Sequence, residues 1–258
     1  MMNAVPSFLT LPTRTAKPRR RGITHVLDTG LPVADVASLL GVCSPYVDVW
    51  KLGWGTAYLD PELPAKLRLL DGAGVLACPG GTLLEVAWQQ GAVEACLDWV
   101  AEVGFPCVEV SRGVAGIPDE EKQALVGRAA ERFIVIAEVG SKDAGAAVDA
   151  AAWAAEAAAD LAAGATWIVT EGRESGTVGL FAPDGTVRVD VVDAVADAVG
   201  VGTTVFEAPR KEQQAWLVRR FGADVNLANV RPEEALGLEA LRLGLRADTF
   251  DASVRARR

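Results

Sequence analysis

A TIM (β/α)8 barrel in one domain is the fold this sequence predicts, on three observations. Short apolar runs recur eight times along 258 residues. Each run is apolar almost throughout, not alternating, as parallel strands buried on both faces are. Longer stretches of helical character lie between them, the pattern of an α/β barrel. The length suits one barrel, which takes about 250 residues. In order, the runs are Ile23–Asp28, Tyr46–Lys51, Gly74–Cys78, Cys107–Ser111, Phe133–Glu138, Thr166–Glu171, Thr203–Glu207 and Asp224–Leu227.

The intervening helices follow from spacing and end signals. Pro61–Leu70 sets Leu63, Leu67 and Leu70 on one face, with Lys66 and Arg68 off it. Leu84–Val103 carries Trp88, Cys96 and Trp99. Asp119–Arg132 opens with an acidic turn, which suits the positive end of a helix. Ala144–Ala163 is nearly pure alanine broken by Trp153, Glu156, Asp160 and Leu161, a strong helix former. Val191–Val199, Lys211–Phe221 and Pro232–Leu245 complete the series. Gly72, Gly74, Gly104, Gly164 and Gly222 sit where helices should end. The expected organisation is a flexible N-terminus over 1–13, the barrel over 14–250 and a flexible tail over 251–258.

Composition limits the function. A formal charge of −9 argues against nucleic acid or an anionic membrane as the main partner. Cys43, Cys78, Cys96 and Cys107 show no paired spacing, so reduced and mostly buried thiols are expected. With neither a signal peptide nor a run of ~20 apolar residues, a cytoplasmic protein is expected. Neither a dinucleotide fingerprint nor a phosphate-binding P-loop is present. His25, the only histidine, lies inside the first strand and is expected to pack in the core.

In TIM barrels the chemistry sits at the C-terminal ends of the strands. Those positions here hold Asp28, Lys51, Gly80-Gly81-Thr82, Glu109 with Ser111 and Arg112, Glu138 with Lys142, Glu171 with Arg173, Glu207 with Lys211, and Asn226 with Asn229. Lys51, Lys142 and Arg173 are cations suited to phosphate and carboxylate. Gly80 and Gly81 open a helix whose backbone N–H groups suit an anion. Glu138, Glu171 and Glu207 supply oxygens of the kind Mg²⁺ prefers, or else internal partners for the cations. Together these define a site for a small phosphorylated anion. The segment Arg14–Arg21 carries five cations in eight residues. It is either a solvated arm or an arm, Arg19 included, that folds over an anionic substrate.

Nine stretches in register resemble the phosphosulfolactate synthase family, which includes the archaeal coenzyme M pathway enzyme and plant heat-stress-associated relatives. They are Arg14–Thr24, Tyr46–Thr56, Pro79–Glu85, Gly104–Ser111, Ala137–Asp143, Glu171–Gly176, Phe206–Gln214, Val225–Val230 and Leu238–Phe250. The resemblance implies a TIM barrel, Mg²⁺ dependence, a homo-oligomer, and addition of sulfite to phosphoenolpyruvate by a carbon–sulfur lyase. It makes Lys142 the general acid, with Lys51 and Arg173 holding phosphate or carboxylate. Glu138, Glu171 and Glu207 then bind metal or orient the lysines. Arg19, Asp28, Gly80, Gly81, Ser111, Arg112 and Asn229 become substrate-binding candidates.

Three loops depart from the family pattern. Asp28-Thr29-Gly30 stands where Asp-Lys-Gly is expected, Ser111-Arg112-Gly113 for Ser-Asp-Gly, and Gly140-Ser141-Lys142 for Gly-Lys-Lys. If these positions touch substrate, they allow a nucleophile other than sulfite, or another phosphoenol acceptor. A non-catalytic stress or interaction protein is the third alternative, and the retained strand-end charges argue against it.

Overall fold

Apolar runs alternating with helices build eight parallel strands in a computed structural model that describes residues 8–142, 145 and 147–251. The strands are β1 (Thr24–Asp28), β2 (Val49–Leu52), β3 (Leu76–Pro79), β4 (Cys107–Val110), β5 (Ile134–Val139), β6 (Trp167–Thr170), β7 (Thr204–Glu207) and β8 (Asn226–Val230). Their order is β3-β2-β1-β8-β7-β6-β5-β4, every neighbouring pair parallel. This is the expected barrel, nearly closed. Among the described residues no ladder joins β3 to β4. Across that seam the Glu109 carboxylate of β4 accepts the Gly81 backbone N–H at 2.8 Å. A Cβ on Gly81 would meet Ser111 Oγ at 2.4 Å, so the close approach requires glycine.

Two apolar layers account for the continuous strand hydrophobicity. Ile23, Val49, Cys78, Cys107, Ile136, Val169, Val205 and Ala228 form one cluster, inside the barrel. Val26, Trp50, Leu52, Val108, Val110, Val135, Ile168 and Phe206 pack outward against the helices. Cys43, Cys78 and Cys107 are buried, Cys96 half-buried, and all four are free thiols, as composition predicts.

The strand and helix boundaries shift for local reasons. β2 begins at Val49, because Tyr46 and Val47 N–H groups still donate to the Cys43 carbonyl at the end of a helix. That helix, Val33–Cys43, is not among the predicted ones; Val36, Leu40 and Cys43 form its buried face. The expected Leu84–Val103 helix is two, Gly81–Gln89 and Val93–Val103, broken at Gly91 with φ +66°. The alanine-rich helix runs Ala150–Ala163, capped by Asp149. Its expected start touched 144 and 146, which lie outside the described residues, as do the expected flexible ends over 1–7 and 252–258. No helix among the described residues is long and apolar enough to cross a membrane.

Most of the Arg14–Arg21 segment is packed against the barrel, away from the strand-end cavity, with Arg20 and Arg21 left exposed. It closes the N-terminal end of the barrel, opposite the strand ends that carry chemistry. Arg14 pairs with Asp224 and Glu239, and Lys17 Nζ donates to the Ser44 and Val47 carbonyls. Arg19 pairs with Asp48 at 3.1 Å and donates to the Thr15 carbonyl at 2.8 Å. Asp48 in turn accepts the N–H of Thr24, the first residue of β1. Arg19 is therefore a strut of the barrel floor, at the end opposite the strand-end cavity. Its partners are far away in sequence, which is why the segment reads as unpartnered charge.

His25 is paired in register with Val49, so it too faces the barrel interior. Neither ring nitrogen has a hydrogen-bond partner. Burial, with Lys51 nearby, holds its pKa well below the usual value. The unfolded chain thus takes up a proton that the folded chain refuses. His25's contribution to stability is complete above its unfolded pKa of about 6.5, and is lost as pH falls from there. A His25→Leu variant should lose less stability than the parent on acidification below about pH 6.5. Denaturant midpoints across a pH series test this; parallel curves would refute it.

Candidate active site

The strand ends converge on a cavity of about 230 Å³. β2 brings Lys51, β4 Glu109, β5 Glu138 and β7 Glu207, all buried. The segments beyond β5 and β6 add Lys142, Glu171 and Arg173, the end of β8 adds Asn229, and the turn after β3 adds Gly80 and Gly81. In each case the apolar run ends just where the barrel opens. The last inward-facing side chain of the run therefore reaches the cavity while its stem stays packed.

Lys51 is the centre of the cavity floor. Its Nζ lies 2.9 Å from Glu109 and 3.3 Å from Glu207. Burial alone would discharge it; Glu109, Glu207 and Glu138 outweigh burial and hold the ammonium well above its ordinary pKa. Lys142 reaches in from beyond β5, 3.0 Å from Glu138 and 3.6 Å from Glu85. Burial opposes its charge too, and Glu138, Glu171, Glu109 and Glu85 together hold it protonated. Arg173 backs this loop: its guanidinium donates to the Lys142 carbonyl at 3.1 Å.

The carboxylates differ in how far they are satisfied. Glu207 is fully engaged, one oxygen on Lys51 and the other accepting the Gly172 N–H at 2.8 Å. Glu171 accepts the Arg173 N–H at 2.7 Å with one oxygen, while the other is buried with no hydrogen-bond partner. Burial, then the charges of Glu138 and Glu207, push Glu171 well above the usual glutamate range. Asn229 Oδ1 is also buried without a partner. Three cations here (Lys51, Lys142, Arg173) face five carboxylates (Glu109, Glu138, Glu171, Glu174, Glu207).

Nine predicted site residues thus meet in one cavity: Lys51, Gly80, Gly81, Glu138, Lys142, Glu171, Arg173, Glu207 and Asn229. Four others lie elsewhere. Arg19 is on the opposite barrel end. Asp28 is a structural hub beneath the loop, accepting Gly30 and Leu31 N–H groups and the Trp50 indole N–H, with Lys66 3.5 Å away. Ser111 is turned to Glu85 behind the seam. Arg112 points into the helical ring, where Glu156 takes Nε and Nη2 at 2.9 and 3.1 Å and Asp119 takes Nη1. Each is a polar group whose nearest partner comes from a distant segment, and that partner decides its direction.

Other groups complete the site without a predicted role of their own. Glu109 stands at a strand end like its counterparts, so the same signal marks it. Glu85 accepts N–H groups of Val114 and Ala115 at 2.7 and 2.6 Å and fixes the loop after β4. No local pattern marks it. Trp54 and Val114, on the rim, are apolar and carry no chemical signal in the sequence. The three loop departures all lie off this cavity: Thr29 is exposed past β1, Arg112 is held by Glu156, and Ser141 lines a separate small depression.

Solved structures of similar shape share little sequence. A 3-hexulose-6-phosphate synthase is 18% identical with a TM-score of 0.52, covering 91% of this chain and 98% of its own. A 3-keto-L-gulonate-6-phosphate decarboxylase from Vibrio cholerae is 13% identical with a TM-score of 0.55, at 91% and 98% coverage. They speak for the barrel alone. Sequence relatives are much nearer. A phosphosulfolactate synthase of Methanocaldococcus jannaschii is 40% identical over 239 residues, 90% of this chain and 94% of the relative. One of Bacillus subtilis is 37% identical over 245 residues, 94% and 97% of the two chains. The family model described as (2R)-phospho-3-sulfolactate synthase (ComA) matches residues 12–248. On that match and those relatives, the chain belongs to the (2R)-phospho-3-sulfolactate synthase family.

Proposed function

We propose that the protein joins sulfite to phosphoenolpyruvate, giving phosphosulfolactate. The observation that carries this is the pair of lysines ringed by carboxylates, Lys51 buried and Lys142 half-buried, lining the barrel-mouth cavity of a member of this family. Sulfite sulfur donates its electron pair to the methylene carbon and a C–S bond forms. The C=C pair moves to the adjacent carbon and into the carboxylate. Lys51 and Arg173 stabilise the charge that develops there. Lys142 then gives its proton to that adjacent carbon, and solvent later returns one to the amine. The phosphate ester is retained throughout. That the three departures lie off the cavity favours sulfite over another nucleophile.

A divalent cation fits this cavity. Carboxylates outnumber cations in its lining, the substrate is itself a polyanion, and Glu171 has a buried oxygen with no partner. Among the described residues no three acidic, histidine or cysteine side chains form a ready cage. Glu138 and Glu171 would hold Mg²⁺, with water and substrate oxygens completing its shell. Glu207, already engaged twice, serves instead to hold Lys51. When bound, the metal supplies Lewis-acid stabilisation of the developing carboxylate charge.

The test is incubation with phosphoenolpyruvate, sulfite and Mg²⁺, with the product followed by mass. Phosphosulfolactate is expected. No product but saturable phosphoenolpyruvate binding would point to another nucleophile, and no binding of either anion would refute an enzyme of this kind. Chelation should abolish turnover and Mg²⁺ restore it. Because Glu171 must lose its proton to ligate, the Mg²⁺ concentration giving half-maximal rate should rise as pH falls towards the ordinary glutamate range. A half-maximal concentration unchanged by pH would remove Glu171 from the metal site.

A further inference from the structure

Among the described residues, three that are not glycine adopt positive φ: Trp54 (55°), Arg173 (52°) and Asn229 (54°). All three line the same cavity. A left-handed conformation costs a bulky side chain of order 1 kcal/mol, and it persists where the surrounding fold imposes it. For Arg173 and Asn229 the use is plain, since one is a cation and the other a buried amide. Trp54 needs a reason of its own. Flanked by Gly53 and Gly55 in the turn after β2, it remains 57% exposed at the mouth of a charged cavity. Val114, on the loop fixed by Glu85, also lines the cavity and is 65% exposed.

We infer that Trp54 is a substrate-positioning residue, an apolar cover that with Val114 closes over the bound phosphoenol substrate and keeps water from its reacting carbons. This rests on the reaction proposed above. The floor of the cavity is ionic and the two large apolar side chains stand on its rim, so a polyanion held by Lys51 lies beneath them. Covering it lowers the local dielectric and strengthens the contacts to Lys51 and Lys142. A free apolar rim gains nothing in water, whereas over a ligand it loses exposed area. The left-handed backbone at Trp54 aims the indole there at a cost in stability.

The experiment compares the parent with Trp54→Ala, Trp54→Gly and Trp54→Phe. Alanine and glycine should each raise the KM for phosphoenolpyruvate about tenfold, the size of one lost apolar contact, with a much smaller change in kcat. Phenylalanine should recover most of that loss. Glycine, free of strain at this φ, should melt above alanine, separating the backbone cost from the role of the ring. Phosphoenolpyruvate with Mg²⁺ should shift the tryptophan fluorescence of the parent and not of Trp54→Phe. Unchanged KM in the alanine and glycine variants of an active parent would overturn the inference. So would a change of oligomeric state with KM unmoved, which would make the rim a subunit contact. If the parent itself neither binds phosphoenolpyruvate nor forms product, the reaction assignment fails instead.

Discussion

Replacing Lys142 with alanine should lower kcat for phosphosulfolactate formation by about 10²–10⁴, the range for loss of a positioned general acid. Lys142 is the cavity cation best placed to move a proton. It stands at the rim side of the floor, partly open to solvent, 3.0 Å from Glu138, and so can be reprotonated after each cycle. Lys51, by contrast, is closed in between Glu109 and Glu207 and suits fixed charge. The KM for phosphoenolpyruvate should change far less than kcat, because Lys51 and Arg173 remain. The carboxylates around Lys142 hold it protonated above the ordinary lysine value of about 10.4, so its titration should cause no alkaline loss of kcat/KM below pH ~10. Steady-state kinetics settle both points. Full turnover by Lys142→Ala would dismiss it as the acid.

Replacing Lys122 with methionine should cost about 3–5 kcal/mol of stability, as for a broken buried ion pair. In a chain of this size that lowers Tm by on the order of 10 °C. Lys122 is on the helix Asp119–Ala130 and is 1% exposed. Its ammonium donates to Asp160 and Glu156, both at 2.6 Å, and to the backbone carbonyl of Glu138 at 2.7 Å. Without it, Asp160 is left buried and unpaired, and burial already pushes its pKa up. Glu156 keeps Arg112 and suffers less. The double variant Lys122→Met/Asp160→Leu should recover much of the loss, since no unpaired charge is then buried. A single variant melting within a degree or two of the parent would contradict this. The same contact ties the β5 backbone at Glu138 to the helical ring, so activity should fall along with stability.

Both predictions concern lysines, yet only one was readable in the chain. Lys142 follows an apolar run in a recognisable motif. Lys122 sits in a helix among Asp119, Glu120 and Glu121, where a solvated cation is the ordinary expectation. Its burial depends on Asp160 and Glu156 reaching it from the next helix but one strand away, a packing fact with no local signature.

What the sequence by itself determined is the period and the punctuation. Eight apolar runs, five of them closed by a charged residue, specify the strands, the barrel, and the end at which Lys51, Glu138, Glu171 and Glu207 gather. Apolar burial acts through composition and spacing, both of which are local. The direction of the remaining polar groups was decided only by the tertiary structure. Arg19 and Arg112 look like anion ligands until Asp48 and Glu156 claim them from 29 and 44 residues away. Trp54 carries no chemical signal in the sequence, and only its left-handed backbone in the folded chain sets it on the rim. A charge or a ring goes wherever it is best compensated, and in a barrel the compensating groups come from strands and helices distant in the chain.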